Sequence, residues 1–295
     1  STGQGTMLAA ARGARAGATA VVPTRDTATL PVQARRAPVR TPPRGCMPSA
    51  TVASTPADLA GATFELCSSG RLGGVLFDVD GTLLNSDPLH FRVFLDFFQE
   101  EGFNGGAPID EQFFHAHISG RHNPDIFREC FPERSEREHQ TMAEEKEARF
   151  RNLAQREGIP PIAGLQELTE WLAGQGVPCV AVTNAPRANA ELMLEAVGLD
   201  NFFKHLVVGS ECVEAKPSPV PYLEGLRLLG IDHTQAFAVE DSPSGARAAI
   251  AAQLPLVGIT TVQPAEKLLE VGAIHALDDF NDELFWAALR RLRTD

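Results

Sequence analysis

Gly73-Gly74-Val75-Leu76-Phe77-Asp78-Val79-Asp80-Gly81-Thr82-Leu83-Leu84 is the stretch from which the rest of the chain is read. Val75, Leu76 and Phe77 form a continuous apolar run, the pattern of a strand buried on both faces. Alternate side chains of a strand share a face, so Asp78 and Asp80 point the same way and Val79 turns back into the core. Gly81 lets the chain leave the strand sharply. Two carboxylates on one face repel, and burying them costs free energy unless a cation or a shared proton compensates. A bare D-x-D is ordinarily a solvated strand-end turn. The apolar run before this one and the Gly-Thr after it mark it for chemistry.

Downstream, Asp87-Pro88 opens a helix, with Asp as N-cap and Pro in the first turn. Phe91, Phe94, Leu95 and Phe98 follow helical spacing. Asp110 starts a second helix, and residues 122–131 and 135–157 read as two more, the last strongly charged through Glu144-Glu145-Lys146-Glu147. No strand signal occurs between 87 and 158, and Gly158-Ile159-Pro160-Pro161 is a clear break. A helical block therefore interrupts an alternating chain. An insertion after the first strand of an α/β sheet sits above the carboxyl ends of the strands, where it can cover the acids.

Alternation resumes with a helix over 164–175, a strand from Val177 to Val182 ending in Thr183-Asn184, a helix through Met193, and a strand from Leu206 to Val208. Lys216-Pro217 follows, with a helix expected from Pro217. A strand from Ala236 to Val239 ends in Glu240-Asp241, a helix follows, and then come a strand from Leu256 to Ile259 and a final helix around 281–292. The fold class expected is α/β, a doubly wound parallel sheet with an inserted α-helical cap. Residues 1–70 are read as an N-terminal arm, 71–86 and 159–295 as the core, and 87–158 as the cap. Each polar group at a strand end has a bland reading as a cap or surface residue. Four in order, each beyond an apolar strand, are hard to explain by capping.

Asp78-Val79-Asp80-Gly81-Thr82, with Thr183-Asn184, Lys216-Pro217 and Glu240-Asp241-Ser242, resembles the four motifs of the haloacid dehalogenase superfamily, over roughly residues 72–290. The cap resembles the β-phosphoglucomutase-like type, and the segments look like those of plant and algal sugar-phosphate phosphatases. The resemblance implies a phosphatase with Asp78 as nucleophile, forming an aspartyl-phosphate, and Asp80 as general acid–base. It implies Thr183 on the phosphoryl group and Lys216 as a fixed positive charge. Mg²⁺ is the implied cofactor, held by Asp78, the Asp80 carbonyl and Asp241, with Glu240 either a ligand through water or a supporting group. Substrate contacts are expected from Asn184, Arg187, His90 and the cap loop residues Arg121, His122 and Asn123. For Arg187 and the cap residues, a surface arginine, an interhelical loop and a satisfied histidine are the competing readings. A second acid at position 80 disfavours the dehalogenase reaction. A sugar phosphomutase is the alternative, and a non-catalytic binding module ranks last.

Composition bounds the rest. The 295 residues carry a net charge of −12, which disfavours nucleic-acid binding, and 43% apolar content is ample for a core. No apolar run is long enough for a membrane span. Residues 1–57 hold seven Arg, no Lys and one acid, in a setting of small and hydroxylated residues. That composition fits a transit peptide, chloroplast before mitochondrion, with a disordered basic tail as the alternative and a cytoplasmic protein as the fallback. Five cysteines without C-x-x-C indicate neither a disulfide framework nor a zinc site. The expected partner is a small phosphorylated sugar or polyol, and the expected state is a monomer.

Overall fold

The computed structural model describes residues 64–294. Six strands, β1 (Gly74–Phe77), β2 (Cys179–Thr183), β3 (His205–Val208), β4 (Ala236–Glu240), β5 (Leu256–Ile259) and β6 (His275–Leu277), form one sheet in the order β3-β2-β1-β4-β5-β6. Every neighbouring pair is parallel. All carboxyl ends therefore lie on one edge, and the strand order reverses between β1 and β4, where this architecture opens a crevice.

Four helices interrupt the alternation after β1: α1 (Asp87–Glu100), α2 (Glu111–His117), α3 (Asn123–Cys130) and α4 (Glu136–Glu157). Then come α5 (Leu165–Gly174), α6 (Arg187–Ala196), α7 (Val220–Leu229), α8 (Pro243–Ala251), α9 (Ala265–Val271) and α10 (Glu283–Leu289). The two faces of the sheet divide by strand parity. Val75, Phe77, Ala181, Phe237 and Val239 pack with α5, α6 and α10. Leu76, Val180, Val182, Ala236 and Ala238 pack with α7, α8 and α9. The inserted helices have their own core of Phe94, Phe97, Phe98, Phe114, Phe127 and Phe131, each ring worth about 1.5–3 kcal/mol when fully buried. Helix α4 starts in a capping box, Ser135 with Glu138. Among the described residues no helix is long and apolar enough to cross a membrane.

Four expectations shift. The buried face of α1 is Leu89, Val93, Phe94, Phe97 and Phe98, because the helix serves two clusters at once, and Phe91 and Leu95 are only partly covered. Pro217 does not open a helix; α7 begins at Val220, since Pro217 and Pro219 disfavour helical geometry at Lys216 and Ser218. Strand β6 and helix α9 lacked a periodic signal, β6 being only three residues long. The core also starts before residue 70, for Leu66 and Cys67 are buried in it. The transit-peptide reading falls on residues outside those described.

Candidate active site

The β1–β4 register builds the centre of the site. The Asp78 amide donates to Val239 O at 3.0 Å, which sets the Asp78 carboxylate beside Glu240 and Asp241. Lys216 reaches in from the segment before α7. Its Nζ donates to Asp78 Oδ1 (2.7 Å), Glu240 Oε1 (2.7 Å) and the Val182 carbonyl (2.6 Å), which uses all three ammonium protons. Burial opposes that charge, but Asp78 and Glu240 more than offset it, and Lys216 is held above its ordinary value. Such a group is tolerated in the interior because it is paired and fully hydrogen-bonded.

Tyr222, on α7, donates to the same Glu240 oxygen at 2.9 Å, and the Lys216 ammonium lies 5.0 Å from its ring centroid. Burial, with Glu240 and Asp78 nearby, pushes the phenol well above its ordinary value, so it remains a donor. The second Glu240 oxygen accepts from the Ser242 amide (3.3 Å) and hydroxyl (3.2 Å). The bonds to Glu240 thus come from protein donors, consistent with the supporting reading of its role. Gly245 makes room for it: a Cβ there would stand 1.6 Å from Glu240 Oε1.

Asp241 is buried, with only a long contact from Thr82 Oγ1 at 3.5 Å. The Gly81 turn, at φ +84°, passes so close that a Cβ would lie 2.2 Å from Asp241 Oδ2. Asp78, Glu240 and Asp241 each present an oxygen, all within 4.8 Å of one another. Burial, then Asp78, Glu240 and Asp80, push the Asp241 carboxyl far above the carboxylate range, and burial raises Asp78 despite Lys216. One ammonium stands among three buried carboxylates and bonds two of them. An all-oxygen donor set short of positive charge fits a hard divalent cation such as Mg²⁺.

Asp80 faces the inserted helices. Ser86 Oγ donates to its Oδ1, and His90 Nε2 lies 3.1 Å from its Oδ2. Lys146 Nζ donates to His90 Nδ1 at 2.9 Å. An ammonium has only donors, so Nδ1 accepts and Nε2 carries the proton toward Asp80. Lys146 also donates to Glu147 Oε1 at 2.9 Å. Within the charged run 144–147, Lys146 and Glu147 are buried. The signal was their spacing: Met142, Ala143, Lys146, Glu147, Phe150 and Ala154 make one helical stripe.

The remaining expected residues scatter. The Thr183 hydroxyl is buried at the end of β2 and accepts from the Ala185 amide at 3.0 Å. Asn184 spends both ends of its amide on the Lys216 backbone, at 3.0 and 3.1 Å; it holds the lysine segment rather than facing a ligand. Arg187 is turned back along edge strand β3, paired with Glu211 at 2.6 Å and reaching the Leu206 carbonyl. Arg121 pairs with Glu129 at 2.8 Å, and His122 is exposed with Asp125 at 3.9 Å. Asn123 Nδ2 donates to Glu147 Oε1. In the cap loop, a Cβ added at Gly120 would be 3.9 Å from that of Ser242. Ser119 Oγ ties the same loop to Asp87 at 2.8 Å. Ser86, Ser119 and Tyr222 were not singled out from sequence as site residues; Asp87, expected as the N-cap of α1, is its first residue, with Ser86 at the cap position and the Asp87 carboxylate taken by Ser119.

The chain belongs to the haloacid dehalogenase-like hydrolases, whose family pattern residues 75–259 match. The phosphoglycolate phosphatase of Rhodospirillum rubrum is 30% identical over 215 residues, 70% of this chain and 87% of that protein. Hexitol phosphatase A of Escherichia coli is 28% identical over 211 residues, 70% of this chain and 93% of the relative. The crystal structure of a family IA, variant 3 hydrolase from Entamoeba histolytica superimposes with a TM-score of 0.67 at 25% identity, over 75% of this chain and 99% of the other.

Proposed function

We propose that the protein is a Mg²⁺-dependent phosphatase that hydrolyses sugar or polyol phosphate monoesters through an aspartyl-phosphate on Asp78. The observation that carries this reading is Lys216, which bonds Asp78 and Glu240 at once beside the buried carboxylate of Asp241. Sugar or polyol phosphates are favoured as substrates by analogy with relatives such as hexitol phosphatase A.

Asp78, the Asp80 carbonyl and Asp241 would hold the ion. When bound, it neutralises the oxygens of an anionic phosphoryl group that a carboxylate could not otherwise approach. An Asp78 oxygen forms a bond to phosphorus as the ester P–O bond breaks. Asp80 gives its proton to the departing alkoxide, a role worth roughly 10²–10⁴-fold. A water then attacks the same phosphorus, Asp80 takes its proton, and the bond from phosphorus to Asp78 breaks. Lys216 keeps Asp78 oriented throughout, and the Thr183 hydroxyl is available to donate to a phosphoryl oxygen.

A mutase must hold a second phosphoryl group at the cap; in the cap loop Arg121 is paired with Glu129, and position 123, where a mutase of the family would carry Arg, is an Asn bonded to Glu147. That favours transfer to water. Arg187, paired with Glu211, is not part of the proposal. The deciding experiment is phosphate release from a panel of trioses to hexoses, phosphoglycolate and bisphosphates, with Mg²⁺ and after chelation. Asp78→Asn is expected to abolish release with an unchanged melting profile, and retained turnover would end the reading. The basic arm further suggests chloroplast import, which a fluorescent fusion of residues 1–63 tests directly.

A further inference from the structure

Helix α4 of the cap grips one core side chain at both ends. Asn189, on α6, is buried. Its Nδ2 donates to Glu147 Oε2, and its Oδ1 accepts from Arg151 Nη1 at 2.7 Å. Glu147 and Arg151 stand one turn apart on α4, so both can face a single partner. The partners also decide the amide's orientation: reversed, it would set donor against donor and acceptor against acceptor.

The grip continues inward. Glu147 Oε1 accepts from Lys146 at 2.9 Å and from Asn123 at the start of α3. Burial works against the Glu147 charge, but Lys146 and His90, with the bonds from Lys146 and Asn123, outweigh it and bring the carboxyl down to about 2. Lys146 then fixes the His90 ring, which stacks on Phe150 at 4.0 Å between centroids and bonds Asp80. An unbroken run of polar contacts leads from a core helix, through the cap, to the acid beside the nucleophile.

We propose that Asn189 is a positioning residue: by clamping α4 onto α6 it holds Lys146 and His90 so that Asp80 is set for proton delivery to the leaving group. The inference rests on the reading of Asp80 as general acid. Removing the amide leaves a buried carboxylate oxygen and a guanidinium without their partner and frees α4 to lift. Proton delivery then suffers, while attack by Asp78, held by Lys216 from the core side, does not.

The test uses leaving groups. Sugar and glycerol phosphates expel an alkoxide that needs a proton, and p-nitrophenyl phosphate expels a stable phenolate that does not. In the full chain, Asn189→Ala is expected to lose about 10–100-fold in kcat/KM on the alkyl esters and at most about threefold on the aryl ester; kcat/KM reads the transfer to Asp78 and leaves out the later water step, in which Asp80 serves every ester alike. Glu147→Gln, which sets two amide donors face to face, is expected to behave alike. The double variant Glu147→Gln/Asn189→Asp again faces a donor with an acceptor and keeps the Arg151 bond. It should recover part of the alkyl-ester rate, and it carries the test if Asn189→Ala melts below the assay temperature. Equal loss of kcat/KM on both ester types, no loss on either, or no recovery in the double variant overturns the inference alone. No release from any ester by the parent enzyme overturns the proposed activity and the inference with it.

Discussion

The phenol of Tyr222 and the ammonium of Lys216 meet on one oxygen, Glu240 Oε1, at 2.9 and 2.7 Å. Glu240 thus acts as a post between a helix and the lysine that bonds Asp78. Tyr222→Phe removes one donor to a charged group and is expected to cost about 1.5–3 kcal/mol of stability. Turnover should fall about tenfold, with KM little changed, as Lys216 loses its fixed support. Tyr222 is the single tyrosine of the chain, so ultraviolet difference absorbance reads its ionisation directly. Its value is raised in the fold, so stability falls as pH climbs past the ordinary tyrosine range, and no phenolate should form before unfolding. A phenolate titrating near pH 10 in the native protein would contradict the arrangement.

Lys216 is the positive partner of two buried carboxylates. Lys216→Met leaves both uncompensated, and a loss of about 3–5 kcal/mol is expected on thermal or urea unfolding. Phosphate release should vanish. A variant as stable as the parent would mean that the acids do not depend on the ammonium.

Gly245 tests the close packing behind Glu240. Because an added methyl would overlap the carboxylate at 1.6 Å, Gly245→Ala must displace Glu240 or shift α8. We expect at least a 10²-fold fall in kcat, on the scale of misplacing a group by about 1 Å. Gly102→Ala, whose Cβ would meet nothing within 4 Å, is the control for adding a methyl elsewhere. Its φ of +77° still brings some strain, so only stability should suffer there.

Asp282 caps α10, accepting from the Phe285 amide at 2.7 Å, and pairs with His275 at 3.1 Å. Burial acts against its charge, but His275 and the backbone donors prevail, and its carboxyl sits below the ordinary range. A lowered carboxylate contributes stability above its unfolded value, near pH 4, and that contribution disappears as pH falls through the folded value. Asp282→Ala should therefore cost about 1 kcal/mol at neutral pH. The melting curves of variant and parent should converge in strong acid. A constant gap from pH 7 to pH 2 would assign the effect to packing alone.

What could be read from the linear chain was whatever depends on near neighbours. Val75 to Phe77 followed by Asp78 and Asp80 declared a buried strand with two acids on one face, and Thr183, Lys216, Glu240 and Asp241 stood beyond later strands in the same way. Partners far apart in the chain could not be read. Asn184 resembled a ligand-facing residue until its amide was found on the Lys216 backbone, 32 residues away. Lys146 and Glu147 sat in a strongly charged run, and only their stripe with Met142 and Phe150 hinted at burial. Tyr222 had no local mark at all.

The sequence alone determined the class of fold and which strand ends carry acids, an amine and a hydroxyl, because periodicity and turn chemistry act over a few residues. Tertiary structure alone decided which acid meets which cation: the β1–β4 pairing joins Asp78 to Glu240 and Asp241, and the docking of α4 on α6 links Asn189 to Asp80. Electrostatic and hydrogen-bonding forces depend on distance through space. Only the folded chain fixes those distances.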